Sequence, residues 1–406
     1  MSSAQLLEPE VKTRAAMPVT ETPTKSLHIV GVLDDRFRDS DVYRYWLALA
    51  NRDVDTHITQ HPDFVLKESE VFADQYGLPV ICVVSVLDGE PVAAAVLCPK
   101  NINTSTCGGI GLNWNLYGYR LAGNRIIGKC DPTVRANLLH AVQCEVERRY
   151  AQFLLVEDLE DDAELTADLQ ETLARQQKTY QPSGLQERLK VELPATAVEY
   201  WSKFSSKTRN TFRRKRKKIG ETRLVKVTDA AGISEFLESA HQVSQNTWQT
   251  YRLGLRVSNT ESERELLTVM AEKNALRCYL LLQESTPVAF LIGNQFGQTF
   301  NYEEVGYDRD FSKLSPGQVL LLEVLDDLFE DNTPKWLDFG GGDAEYKRIF
   351  STHCSKSGNL WIVPLRLRSR YTIKHLQACR TIKDFGRTIV TKTGLLTKAR
   401  QLKRRA

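Results

Sequence analysis

Two stretches of the chain repeat one pattern of apolar and polar positions. CVVSVLDGEPVAAAVL begins at Cys82 and CYLLLQESTPVAFLIG begins at Cys278. Each reads as a strand, a polar turn, then Pro-Val-Ala opening a second strand. Nine positions separate Cys82 from Pro91 and Cys278 from Pro287, so the two hairpins are offset by 196 residues. The segments after the hairpins also correspond. Asp131-Pro132 precedes a helical stretch, Arg135–Tyr150, and then the strand Phe153–Val156. Ser315-Pro316 precedes the helical stretch Val319–Phe329, and then the strand Trp336–Phe339. The shared order over five elements predicts an internal duplication.

The second half patterns more clearly. Lys190–Leu193 is expected as a short strand and Val198–Ile219 as one helix, with an apolar stripe of Trp201, Phe204, Thr208, Phe212 and Ile219. Ile233–Tyr251 is expected as an amphipathic helix with Ile233, Phe236, Leu237, Ala240 and Val243 on one face. A helix over Glu263–Ala275 comes next, then strands Cys278–Gln283, Val288–Phe296 and Thr299–Val305. After the helix opened by Ser315 come strand Trp336–Phe339, helix Ala344–Phe350 and strand Leu360–Val363. An antiparallel meander succeeded by a β-α-β crossover predicts mixed α/β layers with one parallel pairing at the centre.

Composition is that of ordinary globular protein: 42% apolar and 26% charged over 406 residues, enough for two domains. The longest apolar run, Pro91–Cys98, is far short of the roughly 18–20 residues of a membrane helix. The N-terminus has no apolar signal core, so the expected location is cytoplasmic, with a polar, disordered leader over residues 1–25. Eight cysteines without a CxxC pair are expected as reduced, mostly buried thiols, and no metal site is expected. Net charge is +3, yet residues from Arg366 onward carry thirteen Lys or Arg against Asp384 alone, which leaves about −9 for the rest. In that tail the bases alternate with Leu367, Ile373, Leu376, Ile382, Phe385, Ile389, Leu395, Leu396 and Leu402. The tail fits either an anionic membrane surface or a helix packed on the body with a charged outer face.

Four further features carry candidate chemistry. Ser315-Pro-Gly-Gln-Val319 lies between a strand and a helix; a helix N-terminus offers free N–H groups to a pyrophosphate, and the corresponding Asp131-Pro-Thr133 puts an acid there instead. The bland alternative is a well-capped helix start. Asp338-Phe-Gly-Gly-Gly-Asp343 ends a strand, and Tyr346 and Lys347 lie on the next helix, suited to a general acid and to an oxyanion contact. Of Glu303 and Glu304, neighbours on one strand, one must face a covered side and could act as a base with a raised pKa, unless paired with Arg309. Between Lys203 and Lys218 stand nine bases and no acid, among them Arg209, Arg213 and Arg214, which favours contact with a polyanion over a merely solvated face. His57 and His61 lack companions for a metal set and read as structural, and GxxxxGK[ST], GxGxxG, HExxH and GxSxG are all absent.

The order basic helix, Trp248, hairpin, Asn301-Tyr-Glu-Glu304, Gly306-Tyr-Asp308, Ser315-Pro-Gly317, Asp338-Phe-Gly340, Tyr346-Lys347 resembles the CelD-type acetyltransferases of cellulose and exopolysaccharide biosynthesis, members of the GNAT superfamily. Lys207-Thr-Arg-Asn-Thr-Phe-Arg-Arg214 looks like their basic signature. The likeness spans roughly Leu27 to Pro364. With the duplication it implies two tandem GNAT-like domains, each a mostly antiparallel central sheet with flanking helices, similar to the Fem-type transferases. The implied domains are a degenerate one over 26–189 and one with the acyl-donor site over 190–365, with the basic tail 366–406 after them. The resemblance implies no resident cofactor and an acyl-CoA co-substrate, acetyl-CoA or another, with its pyrophosphate at Ser315, Pro316, Gly317, Gln318 and Val319. It implies Glu303 as base, Tyr346 as acid to the leaving thiolate and Lys347 at the oxyanion, acting on an amine, hydroxyl or glycan acceptor. Arg209, Arg213, Arg214, Trp248, Asp338 and Asp343 are the expected substrate or polyanion contacts. Ser315-Pro-Gly-Gln318 departs from the usual Gln/Arg-x-x-Gly-x-Gly/Ala loop. Fem-type transfer from aminoacyl-tRNA, or a non-catalytic scaffold binding an anionic glycan or membrane, therefore stand as alternatives.

Overall fold

The computed structural model describes residues 27–392 except 33–36, 74–76, 106–112, 162, 174–176, 183, 248, 251–253, 255, 343 and 365. The first half runs β1 (Leu27–Val32), α1 (Asp41–Arg52), α2 (Pro62–Val71), β2 (Ile81–Leu87), β3 (Glu90–Asn103), β4 (Asn115–Leu121), α3 (Pro132–Arg148), β5 (Leu154–Glu160), α4 (Glu164–Leu173), β6 (Gln177–Tyr180) and β7 (Gln186–Glu192). The second runs α5 (Ala197–Ser202), α6 (Ser206–Ile219), β8 (Thr222–Val227), α7 (Ile233–Gln245), α8 (Glu261–Glu272), β9 (Cys278–Gln283), β10 (Thr286–Phe296), β11 (Thr299–Tyr307), α9 (Pro316–Glu330), β12 (Trp336–Gly341), α10 (Glu345–Phe350), β13 (His353–Pro364) and α11 (Leu367–Lys392).

The strands join in one 13-stranded sheet, β1-β2-β3-β4-β5-β13-β7-β12-β11-β10-β9-β8, with β6 also on β13. Pairing is antiparallel except β4 with β5 and β11 with β12, each bridged by a crossover helix, α3 or α9. This is the expected mixed α/β architecture. The duplication extends to a local irregularity. In β2–β3 the register skips between Ser85 and Val86, leaving Val92 unpaired; in β9–β10 it skips between Pro287 and Ala289, leaving Val288. Both are the valine of Pro-Val-Ala, so the two hairpins bulge at the same position. The sequence did not foreshadow an exchange at the centre. Strand β13 pairs with β5 of the first half, and β7, which straddles the boundary expected at residue 190, pairs with β12 of the second.

Helix boundaries differ from the periodic reading where polar side chains intervene. The stretch 198–219 breaks into α5 and α6 because Ser205 is extended and its hydroxyl accepts the Thr208 N–H, starting a new helix. Helix α7 ends at Gln245, and β13 is much longer than Leu360–Val363.

Helix α9 buries a broad apolar face, Val319 to Leu328, in the core beneath the second-half sheet, where Phe212 stacks on Phe350 at 5.2 Å, and keeps Glu323, Asp326 and Asp327 on the other side. The opposite face is covered by α7 and α8, together with Ile58 and Phe64 from the first half. His61 Nδ1 accepts the Asp63 N–H at the start of α2, and burial pushes its pKa down to about 4, so the ring is neutral and caps the helix. Asp63 meets Lys273 of α8 at 2.5 Å, and the Gln298 N–H donates to the Val54 carbonyl at 3.0 Å. All seven described cysteines are free; Cys82, Cys98, Cys278 and Cys379 are buried while Cys144 and Cys354 are exposed, and Cys107 lies outside the described residues.

The β10–β11 turn therefore touches the first half through its backbone. Gly297 has φ +65°, and a Cβ there would lie 2.0 Å from the Val54 carbonyl oxygen. Gly297→Ala is expected to lower stability by at least about 1–3 kcal/mol, the range for a strained left-handed residue before any clash is added. Urea unfolding at neutral pH checks it; a loss under about 0.5 kcal/mol would mean that the contact between the halves adjusts freely.

Candidate active site

Strands β11 and β12 run parallel for only three pairs, Thr299–Trp336, Phe300–Leu337 and Asn301–Asp338. Beyond these they part. Asp338, 6% exposed, accepts the Gly340 N–H on Oδ1 at 2.8 Å and the Arg188 Nε and Nη2 on Oδ2 at 3.0 and 2.7 Å. Gly340 and Gly342 take φ +68° and +97°, conformations that favour glycine, and the register between β12 and β7 becomes irregular. The strand thereby turns away from β11 toward Arg188.

The opening joins two neighbouring cavities of about 600 and 460 Å³ that share His57, Gly123, Asn124, Asp158, Arg188, Asn301 and Asp338. Both are therefore walled by the two halves together. The smaller also takes in Tyr302, Glu303, Val305, Phe339, Tyr346 and Lys347. Glu303, Tyr346, Lys347 and Asp338, distant in sequence, thus line one space.

Glu303 owes its place to a bulge. Ile292 pairs with Glu304 but Gly293 with Tyr302, so Glu303 is the extra residue of β11. Simple alternation does not govern it. Its Oε1 accepts from Asn294 Nδ2 at 2.6 Å, and Asn294, fully buried, accepts from Asn301 Nδ2 at 3.0 Å. The side chain is 38% exposed, toward the cavity. The cavity walls partly enclose it, and that desolvation raises its pKa, with Glu304 adding to the shift and the Asn294 bond opposing it. Glu304 is paired elsewhere, with Arg256 at 2.6 Å.

His57 was not expected here. Its Nδ1 lies 2.7 Å from the Thr59 hydroxyl and 3.2 Å from the Thr59 backbone nitrogen, and Nε2 lies 3.6 Å from Glu303 Oε1, beyond hydrogen-bond distance. Burial brings its pKa to about 4, with Asp338 opposing and Arg188 and Arg120 reinforcing, so the ring is neutral at pH 7 and the pair is not a salt bridge. No spacing in the sequence joins His57 to Glu303; only the packing of the two halves does. Asp158 was missed too. It has φ +44°, its carboxylate has no cationic partner within ion-pair distance among the described residues, and burial raises its pKa against the pull of Arg188. An Asn in the apolar strand β10 and an Asp in β5 were the available signals, both too common to act on.

Other expected residues have definite occupations. Tyr346 shares a hydrogen bond with Tyr302, and burial pushes its pKa up to about 12, so it stays protonated. Lys347 donates to the Phe339 carbonyl at 2.8 Å and to Gly341 at 3.4 Å, closing the glycine turn. Arg209 donates to the Phe204 carbonyl at 2.7 Å, finishing the α5 turn. Arg213 and Arg214 are exposed on α6. Trp248 and Asp343 lie outside the described residues.

The Ser315–Val319 turn borders neither cavity. Ser315 is left-handed at φ +59°, and its side chain does not cap α9. Gln318 and Val319 donate to the Ser315 carbonyl and Pro316 has no N–H, so the Gly317 N–H is the donor left at this end. Lys215 bonds to Gln318, and Lys218 to the Lys313 carbonyl at 2.7 Å, so α6 sets cations beside the turn. At α3, by contrast, Asp131 Oδ1 accepts the Thr133 and Val134 N–H groups at 2.8 and 3.0 Å.

Residues 206–348 match the family model of the acetyltransferase (GNAT) domain. No curated protein matches the chain. Among solved structures, FemX is 12% identical with a TM-score of 0.57, covering 79% of this chain and 95% of its own. The C-terminal domain of a putative lysylphosphatidylglycerol synthetase from Agrobacterium fabrum is 10% identical at 0.48, covering 83% and 96%. A tandem GNAT protein from the clavulanic acid biosynthesis pathway is 10% identical at 0.45, covering 83% and 98%. The FemX likeness is one of fold. Residues 206–348 are thus similar to the GNAT acetyltransferase domain, within a fold similar to that of FemX.

Proposed function

We propose that the protein transfers an acyl group from a coenzyme A thioester to an amine or hydroxyl acceptor, with the thioester between β11 and β12 and the acceptor in the space between the halves. The observation that carries this reading is the parting of β11 and β12 beside a bulged carboxylate, Glu303. The pyrophosphate is assigned to the α9 N-terminus, with the Gly317 N–H as donor and Lys215, Lys218 and Lys313 around it.

In this mechanism Glu303 takes the acceptor's proton as its nitrogen or oxygen attacks the thioester carbon. The carbonyl electrons move to oxygen, then return as the C–S bond breaks, and the departing sulfur receives a proton. With its pKa near 12, Tyr346 serves that sulfur as a hydrogen-bond donor, and the proton held by Glu303 supplies the net balance. Neutral His57, with Nε2 3.6 Å from Glu303 Oε1, borders the carboxylate without adding charge. The CelD-type resemblance supports an acceptor from polysaccharide or cell-envelope biosynthesis as the proposed class. A second reading, transfer from aminoacyl-tRNA, draws on Lys207, Arg213, Arg214 and Lys217, exposed on α6 and available to a larger polyanion.

Calorimetric titration of acetyl-CoA should give saturable binding that Gly317→Glu weakens at least about tenfold, roughly 1.4 kcal/mol. A folded wild type that binds no acetyl-CoA but binds tRNA with salt-dependent affinity would transfer the assignment to the second reading. In a thiol-release assay on a panel of amines and sugars, Glu303→Gln should lower kcat about 10²–10⁴-fold. Because the Glu303 pKa is raised, wild-type kcat should fall on acidification above the usual glutamate range. His57→Gln should move that acid limb with little change in KM for acetyl-CoA; an unmoved limb would remove His57 from the mechanism.

A further inference from the structure

Helix α11 carries apolar side chains on two opposite faces. At about 100° per residue, Thr372, Ile373, Leu376 and Cys379 share one face, and all four are buried. Ile373 and Leu376 pack with Phe153, Tyr180 and Trp361 against β5, β6 and β13. The other face carries Leu367, Tyr371, Ile382 and Phe385, exposed by 85%, 59%, 64% and 67%. Apart from Tyr371, whose ring lies 6.0 Å from Trp114, this stripe has no ring or core contact among the described residues. Packing on the body thus accounts for one stripe and leaves the other in water.

We infer that the outer face of α11 docks on an anionic lipid bilayer, with Leu367, Ile382 and Phe385 in the headgroup–acyl boundary. Charge selects this occupant. Arg370 and Lys374 lie on the exposed side and have no acidic partner among the described residues. From Arg366 onward the chain carries a formal charge of +12, with Asp384 as its one acid. An apolar stripe bordered by cations meets lipid phosphates and hydrocarbon at once. A polyanion with no apolar phase, such as RNA, would leave Leu367, Ile382 and Phe385 in water. No helix among the described residues is long and apolar enough to cross a membrane, so the contact is a surface one. The inference stands on α11 alone and is independent of the acyl-transfer reading.

The test is sedimentation of the full chain with phosphatidylcholine vesicles, either pure or containing about one third phosphatidylglycerol. The protein should pellet with the anionic vesicles, stay in solution with the neutral ones, and be released by salt at about 0.5 M. The double variant Ile382→Glu, Phe385→Glu should cut pelleting at least about tenfold while circular dichroism and thermal midpoint stay at wild-type values. Absence of pelleting with anionic vesicles, salt-insensitive pelleting, or an unaffected variant would each overturn the proposal. So would light scattering that finds a wild-type dimer which the variant splits, since a second copy would then be what covers the stripe.

Discussion

Asp338 stands on the last rung of the parallel ladder between β11 and β12, and its carboxylate faces away from that ladder. One oxygen holds the Gly340 N–H and the other holds Arg188 of β7. A buried carboxylate is strongly tied to such partners, because without Arg188 only the more distant Lys190, at 3.9 Å, would face its charge. Satisfying Asp338 therefore diverts β12 from β11 toward the centre of the sheet. That diversion has three consequences. A gap opens between the two strands, the glycines of the turn are drawn into left-handed conformations, and Lys347 finds the carbonyls that the turn exposes. Arg188 belongs to β7, the strand the first half contributes beside β12, so the gap is held open across the exchange that makes the two halves one sheet.

The duplication shows what a working site requires beyond the fold. Strands β4 and β5 also pair in parallel only briefly, at Tyr119–Leu154 and Arg120–Leu155, before the same kind of crossover. There the resemblance stops. The first-half crossover helix has its N–H groups occupied by Asp131, which would also repel an anion. At Gly118 a Cβ would meet the Phe153 carbonyl at 2.4 Å, so the backbones at that crossing are in tight contact. Arg120, at the point of parting, is tied to Glu68 of α2. In the second half the matching helix lacks a side-chain cap and has basic α6 alongside it. Of two corresponding crossover helices, one keeps an uncapped end beside cations and the other a self-satisfied end.

Local signals made much of this legible. The Pro-Val-Ala hairpins located the repeat because a strand's alternation and its turn are encoded within a dozen residues. The amphipathic stripe of α7 was readable for the same reason, with Ile233, Phe236, Leu237, Ala240 and Val243 all buried as spaced. The contrast between Asp131 and Ser315 was a difference of one capping side chain. What escaped was whatever depends on register or on distant packing. A bulge is a one-residue slip with no composition of its own, so Glu303 could be suspected but not oriented. The exchange of β7 and β13 joins residues 163 apart at His353 and Lys190, and no periodicity reports it. The nine bases between Lys203 and Lys218 looked uniform, yet folding divides them. Arg216 is bound to Glu323 and Asp326, Arg209 finishes a helix, and Lys203 lies over the Tyr200 and Phe204 rings.

His57 shows most clearly why the site needs both halves. Its Nε2 lies 3.6 Å from Glu303 Oε1, close enough to wall the carboxylate though not to hydrogen-bond it. With its pKa brought by burial to about 4, the ring is uncharged at neutral pH and does not hold Glu303 ionised by attraction. A cation there would lower the carboxylate's pKa. As a neutral neighbour the ring limits the space open to the carboxylate, while Asn294 holds it by a hydrogen bond from within β10. The two neighbours come from different halves, so the surroundings of the carboxylate depend on how the halves pack. The contacts that fix this packing are Asp63 with Lys273 and Gln298 with Val54, immediately around the turn that carries His57. The first half thereby supplies part of the wall around Glu303 of the second.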